Sequence, residues 1–229
     1  VGTYKRLPRG KKKPHDDFVD WTTHALMWVR KHWSTVIEVA ALAVVVFAVV
    51  VGADAYSRHK AGAAATKLFD LDKGGLAGDE RLRGLNAIAD SYARTFAGKS
   101  AMMDEGDMLL AKGENEKAME RFRTLAEGSR NAPSIRIAAL HRLANAQLLA
   151  GDPAEAAKTY RKAAADPSNQ IALQSELLAA ACLERAGDYT GAAELYRRII
   201  DDAGESDAAM TAMSEERLLW LIAKGYIPG

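Results

Sequence analysis

The chain has 229 residues, of which 48% are apolar and 27% charged, and its formal net charge is +1. That supports one ordinary domain with appendages and a packed core. A single cysteine, Cys182, excludes an internal disulfide framework and a cysteine-based metal cage. Aromatic residues are only 7%, and the Ala-rich, Gly-punctuated remainder favours helices packed closely on one another.

The small net charge conceals an asymmetry. Eight basic residues precede position 34: Lys5, Arg6, Arg9, Lys11, Lys12, Lys13, Arg30 and Lys31. Only Asp16, Asp17 and Asp20 accompany them. A basic tail of this kind argues for a membrane surface over nucleic acid. Residues 1–15, with Pro8 and Pro14 around the Lys/Arg run, read as disordered. Asp16 and Asp17 are expected to cap a helix starting near Phe18, with Phe18, Trp21, Ala25, Trp28 and Val29 on one face. That pattern reads as an interfacial amphipathic helix within a basic cytoplasmic tail at residues 1–33, the alternative being a plain extension of the helix that follows.

Residues 36–53 read VIEVAALAVVVFAVVVGA. A span of roughly 20 residues crosses the hydrocarbon core, so a transmembrane helix is expected over 34–56. Val36, Phe47 and Val51 face lipid, and Trp28, Trp33 and Tyr56 supply aromatic belts. Glu38 lies about one turn inside the near end. It is either an interfacial carboxylate or a polar contact to another membrane helix. The excess of Lys and Arg before the span places the N-terminus inside and the bulk of the chain outside. Ala53-Asp54-Ala55 is a small-residue cleavage alternative, but the apolar run and the region before it are long for a signal peptide, so an uncleaved anchor is expected.

Next comes a helical pair at 57–97, broken at Lys73-Gly74-Gly75. Its second helix is expected over residues 78–97, with Ala87, Ile88, Ser91, Tyr92 and Thr95 on the apolar side. Residues 98–229 contain a repeat. The stretches Gly106-x2-Leu109-x3-Gly113-x4-Ala118-x3-Phe122, Ala144-x2-Gln147-x3-Gly151-x4-Ala156-x3-Tyr160 and Ala180-x2-Leu183-x3-Gly187-x4-Ala192-x3-Tyr196 align in register. The small and Ala positions suit a close crossing of two antiparallel helices, and the Gly ends the first of them. Asp152-Pro153 and Asp188 are start signals for second helices, and Pro133 and Pro167 punctuate the turns between repeats. Residues 207–224 form a terminal helix that covers the last exposed face. The fold class is therefore all-α: one transmembrane helix, then a tetratricopeptide (helix-turn-helix) solenoid of about three repeats with a C-terminal capping helix.

The order of basic tail, span at 34–54, juxtamembrane helix, repeats with the stretch Ala111-Lys112-Gly113-Glu114-Asn115-Glu116-Lys117-Ala118, and cap at 206–224 resembles the YfgM-like family of inner-membrane tetratricopeptide proteins. Members are ancillary Sec translocon subunits of Gram-negative bacteria. The resemblance implies a periplasmic domain whose partners are translocon subunits, periplasmic chaperones or client chains. The basic tail at residues 4–13 departs from the short acidic tail of that family.

No catalytic constellation stands out. The five histidines form no H-x3-H or HExxH arrangement, and there is no Walker loop or G-x-S-x-G elbow. No cofactor, metal, nucleic acid or small-molecule substrate is expected. The candidate site is a groove along the first helix of each repeat. It is formed by Met103, Asp107 and Leu110, then His141, Asn145 and Leu148, then Leu177, Ala181 and Glu184. Its mixture of apolar and polar groups suits an extended or helical peptide. Two roles fit: an adaptor at the translocon, or a structural scaffold in another envelope machine for motility, division or secretion.

Overall fold

A computed structural model describes residues 14–204 and 207–228. The basic run at residues 5–13 and the first residue of the expected cap, Ser206, lie outside the described residues. The chain divides after Arg58 into two compact units.

The first unit is helical over its described residues. α1 spans Pro14–Lys31, so it starts before Phe18, and Asp16 and Asp17 lie within its first turn rather than capping it. Proline at the first helical position favours the earlier start, because it gives up an N–H that would lack a partner anyway. α2 spans Trp33–Lys73. Backbone bonds carry through the intervening residue: His32 N–H donates to the Trp28 carbonyl at 3.0 Å, and Val36 N–H to the His32 carbonyl at 2.9 Å. α2 is long and apolar enough to cross a membrane, and none of its apolar window is buried. Phe47 is 69% exposed, Val51 and Glu38 are exposed, and Val36 is half-exposed. The span expected at 34–56 thus sits inside a longer helix, at about 60 Å for 41 residues.

In the second unit, the last turns of α2 pack Leu68 and Leu71 on α3, which spans Gly78–Ser91. The helix expected over 78–97 is two helices. Thr95 is the reason: its hydroxyl donates to the Tyr92 carbonyl and accepts from Gly98 N–H at 3.0 Å, capping α4 at Phe96–Ala111. The apolar side of α3 is also corrected. Leu85, Ile88 and Ala89 are buried, whereas Ala87 and Ser91 are exposed.

Three helical pairs follow. α4 pairs with α5 (Asn115–Gly128), α6 (Pro133–Leu149) with α7 (Pro153–Ala164), and α8 (Ala172–Ala186) with α9 (Tyr189–Ala203). Each first helix ends in one motif. Gly113, Gly151 and Gly187 have φ of 76°, 86° and 81°, a region that a Cβ disfavours. Each glycine N–H bonds the carbonyl three residues back, and the next N–H bonds the carbonyl four residues before that glycine. The Asp152 and Asp188 carboxylates then accept from Glu155 N–H at 3.0 Å and Gly191 N–H at 2.9 Å, starting α7 and α9. α10 (Ala208–Ala223) starts with the same device at Asp207 and buries Leu221 against α8 and α9.

Close crossings hold the pairs. Ala118, Ala144, Ala156, Ala180 and Ala192 have no exposed surface. A Cβ on Gly106 would lie 2.5 Å from Phe122 Cε1. Gly106→Ala, Ala156→Leu and Ala192→Leu should therefore each cost about 1–3 kcal/mol. For a chain of this size that is a fall of several degrees in melting temperature, read by far-UV CD of the detergent-solubilised chain. Phe122→Leu should recover part of the Gly106→Ala loss. An unchanged melting temperature in all three variants would contradict the crossing geometry.

Candidate protein-binding groove

The first helices of the pairs carry all nine candidate residues, and six of them line three hollows. Met103 is half-buried and lines a hollow of about 270 Å³ with Phe96, Ser134 and Ala138. His141 lines a second, of about 570 Å³, whose far wall is the connection at Ser168, Asn169 and Ile171 before α8. Leu148, Leu177, Ala181 and Glu184 come together in a third of about 570 Å³. α10 closes its far side with Met213, Arg217 and Trp220. The α7–α8 connection and α10 thus supply walls of the second and third hollows.

The remaining candidates are placed differently. Asn145 is exposed. Leu110 packs on the cluster containing Leu109 and Phe122. Asp107 is half-buried and pairs with Arg142 at 3.3 Å. Glu184 is engaged from two sides: the Tyr196 hydroxyl donates to it at 2.6 Å, and the Arg217 guanidinium bridges both of its oxygens. Two of the polar groups assigned to a ligand are therefore held within the protein. The third hollow keeps a mainly apolar lining that also includes the Glu184–Arg217 pair and Arg185. The contributions of Met213, Arg217 and Trp220 were not legible as site residues, because nothing in the sequence ties Arg217 to Glu184, 33 positions away.

Burial tunes the titrating groups. Desolvation raises the Asp104 and Asp107 carboxyls above their usual range. It pushes the Cys182 thiol up to about 11, so that residue acts as a small apolar filler. His141 is held below its ordinary value by burial. Its Nε2 lies 2.8 Å from Ser175 Oγ, and its ring meets the Tyr160 edge with centroids 5.2 Å apart. Among the described residues no three His, Cys, Asp or Glu side chains group to hold a metal ion.

The geometry of paired helices joined by a left-handed glycine agrees with comparison to known proteins. Two family profiles described as tetratricopeptide repeat match residues 139–170 and 174–213. The chain carries tetratricopeptide repeats. A solved structure of nearly identical TPR-like repeats, from a Podosopora anserina protein described as a putative kinesin light chain, superposes with a TM-score of 0.51 at 17% identity. The match covers 72% of this chain and 85% of the other. A point variant of the same Podosopora anserina protein gives 0.50 at 17% identity, covering 72% and 84%. At that identity the likeness shows the fold alone. No curated protein matches the chain.

The depressed His141 pKa has a definite sign. The unfolded state, with a pKa of about 6.5, binds more protons than the folded state between the two values. Stability is therefore lost as pH falls through that window. The melting temperature of the wild type should drop more than that of His141→Gln between about pH 7.5 and 5.5, as read by CD. Parallel pH profiles would show that the imidazole stays solvated.

Proposed function

We propose that the protein is a membrane-anchored adaptor that binds other proteins through the face built by α4, α6 and α8, and that it does not catalyse a reaction. The observation that carries this reading is the third hollow. Leu148, Leu177 and Ala181, from two successive repeats, present a largely apolar wall that the domain leaves uncovered. An incoming peptide gains from a few such anchors, and most of its other contacts are nearly neutral.

The anchor is α2, retained at residues 34–56, with residues 1–33 in the cytoplasm, a juxtamembrane segment at 57–97 and the repeats at 98–229 in the periplasm of a bacterial inner membrane. Two observations support retention and orientation. Ala53-Asp54-Ala55 lies in the middle of α2, where Asp54 pairs with Arg58 one turn on at 2.8 Å. The Lys and Arg excess lies before the span. The partners are translocon subunits together with periplasmic chaperones or client chains, a reading that rests on the YfgM-like order of segments.

One experiment joins these points. Full-length protein, tagged after Gly229, is solubilised in mild detergent and its co-purifying proteins are identified. Translocon subunits and chaperones are expected, and Met103→Glu, Leu148→Glu and Leu177→Glu, tested singly, should each weaken their recovery with little change in helical CD. Lys158→Glu and Arg197→Glu, on second helices, should do little. Recovery of division, motility or secretion components instead would make the chain a scaffold. Loss of capture only in the Lys158 and Arg197 variants would place the partner on the opposite face.

A further inference from the structure

Among the second helices only α7 carries an excess of cations. Its sequence PAEAAKTYRKAA sets Lys158, Arg161 and Lys162 against Glu155 alone, whereas α5 and α9 each hold at least as many acids as bases. Arg161 and Lys162 lie three and four residues after Lys158, so all three share one side of the helix. Lys158 is paired with Glu155. The side chains of Arg161 and Lys162 have no hydrogen bond or ion pair among the described residues. Both lie in the last turn of α7, where cations complement the helix dipole. The dipole accounts for cations on α7 but not for what faces them.

Lys158, Arg161 and Lys162 line a hollow of about 400 Å³ together with Ala165, Glu176 and Arg198. Arg198 reaches it from α9 and Glu176 from α8. Four cations thus meet one carboxylate, and that carboxylate is a weak counter-ion. Glu176 Oε2 is buried with no hydrogen-bond partner among the described residues, and Arg198 Nη1 lies 3.7 Å from Oε1, beyond a direct hydrogen bond. Like charges gathered at one place repel, and a concave surface concentrates their field. The packing of α7, α8 and α9 holds the charges there, so an anion that enters the hollow relieves the repulsion.

We infer that this hollow binds a phosphate group, as a phosphate monoester or as inorganic phosphate. The occupant follows from the number and kind of the cations. A carboxylate offers two oxygens, which a single guanidinium fork satisfies. A phosphate monoester offers three free oxygens and a second negative charge. That suits the two forks of Arg161 and Arg198 together with Lys162 as a point charge. Arg161 and Lys162 have no partner to give up, and Arg198 gives up only a contact of 3.7 Å. A soluble phosphate ester and a lipid that ends in a phosphate monoester present the same group. The hollow shares no residue with the three along the first helices, so the inference is independent of the peptide-binding reading.

The test uses the full chain in a maltoside detergent, in phosphate-free buffer at constant ionic strength. Calorimetric titration with inorganic phosphate and with glycerol 3-phosphate should show saturable binding, and either ligand should raise the melting temperature. Arg161→Gln and Arg198→Gln should each weaken binding by about tenfold with the helical CD spectrum retained, since both side chains are exposed. Arg123→Gln, on α5 and outside the hollow, should bind like the wild type. Leu148→Glu should also keep phosphate binding while weakening partner recovery, so the two readings fail separately. Phosphatidylcholine nanodiscs with and without phosphatidic acid distinguish the sources. Loss of the soluble response only with phosphatidic acid assigns a lipid headgroup, and a response in both assigns a soluble ester. No response in either, or equal binding of glutamate in place of phosphate, would overturn the inference. So would a melting temperature raised equally in wild type and both glutamine variants, which is the general effect of an excluded salt.

Discussion

The close crossing of two helices within each repeat is the constraint on which the rest depends. Where Gly106 meets Phe122, the first helix has no side chain at the contact, and the aromatic ring lies where a Cβ would be. The fully buried Ala144 and Ala180 stand at the equivalent places, in one cluster with Tyr160 and Tyr196. Backbones this near leave little tolerance for added volume. The left-handed glycine then reverses the chain within a few residues, so that crossing and turn together set the direction of the next helix. The hollows along the first helices follow from that repeated geometry.

Polar pairs tune the stack without creating it. Glu105 is buried and accepts from Asn86 at 3.0 Å and from Arg121 at 2.9 Å, tying α3, α4 and α5 together. Arg136 and Asp166 join the start of α6 to the turn after α7. Glu184, Tyr196 and Arg217 do the same for α8, α9 and α10. Such half-buried pairs cost desolvation and recover it through charge-assisted hydrogen bonds. Their effect is to fix which helix faces which.

What was legible in the sequence was periodic. The Gly-x4-Ala-x3-aromatic spacing located six helices and three turns, and the run from Val36 to Ala53 located the apolar helix. What was not legible lay in contacts between distant segments. Thr95 has the same composition as a residue within a helix, and only its hydroxyl bonds to Tyr92 and Gly98 show it to be a cap. Asp107 and Glu184 read as free groups because Arg142 and Arg217 lie 35 and 33 positions away.

The central claim is that a face assembled from first helices engages proteins on one side of a bilayer. Site-specific photo-cross-linking in intact membranes tests it most directly, with the photoreactive residue placed at Leu177 in one chain and at Arg197 in another. Adducts to translocon or chaperone subunits from Leu177, with few from Arg197, are the predicted result. Abundant adducts from Arg197 and none from Leu177 would contradict it.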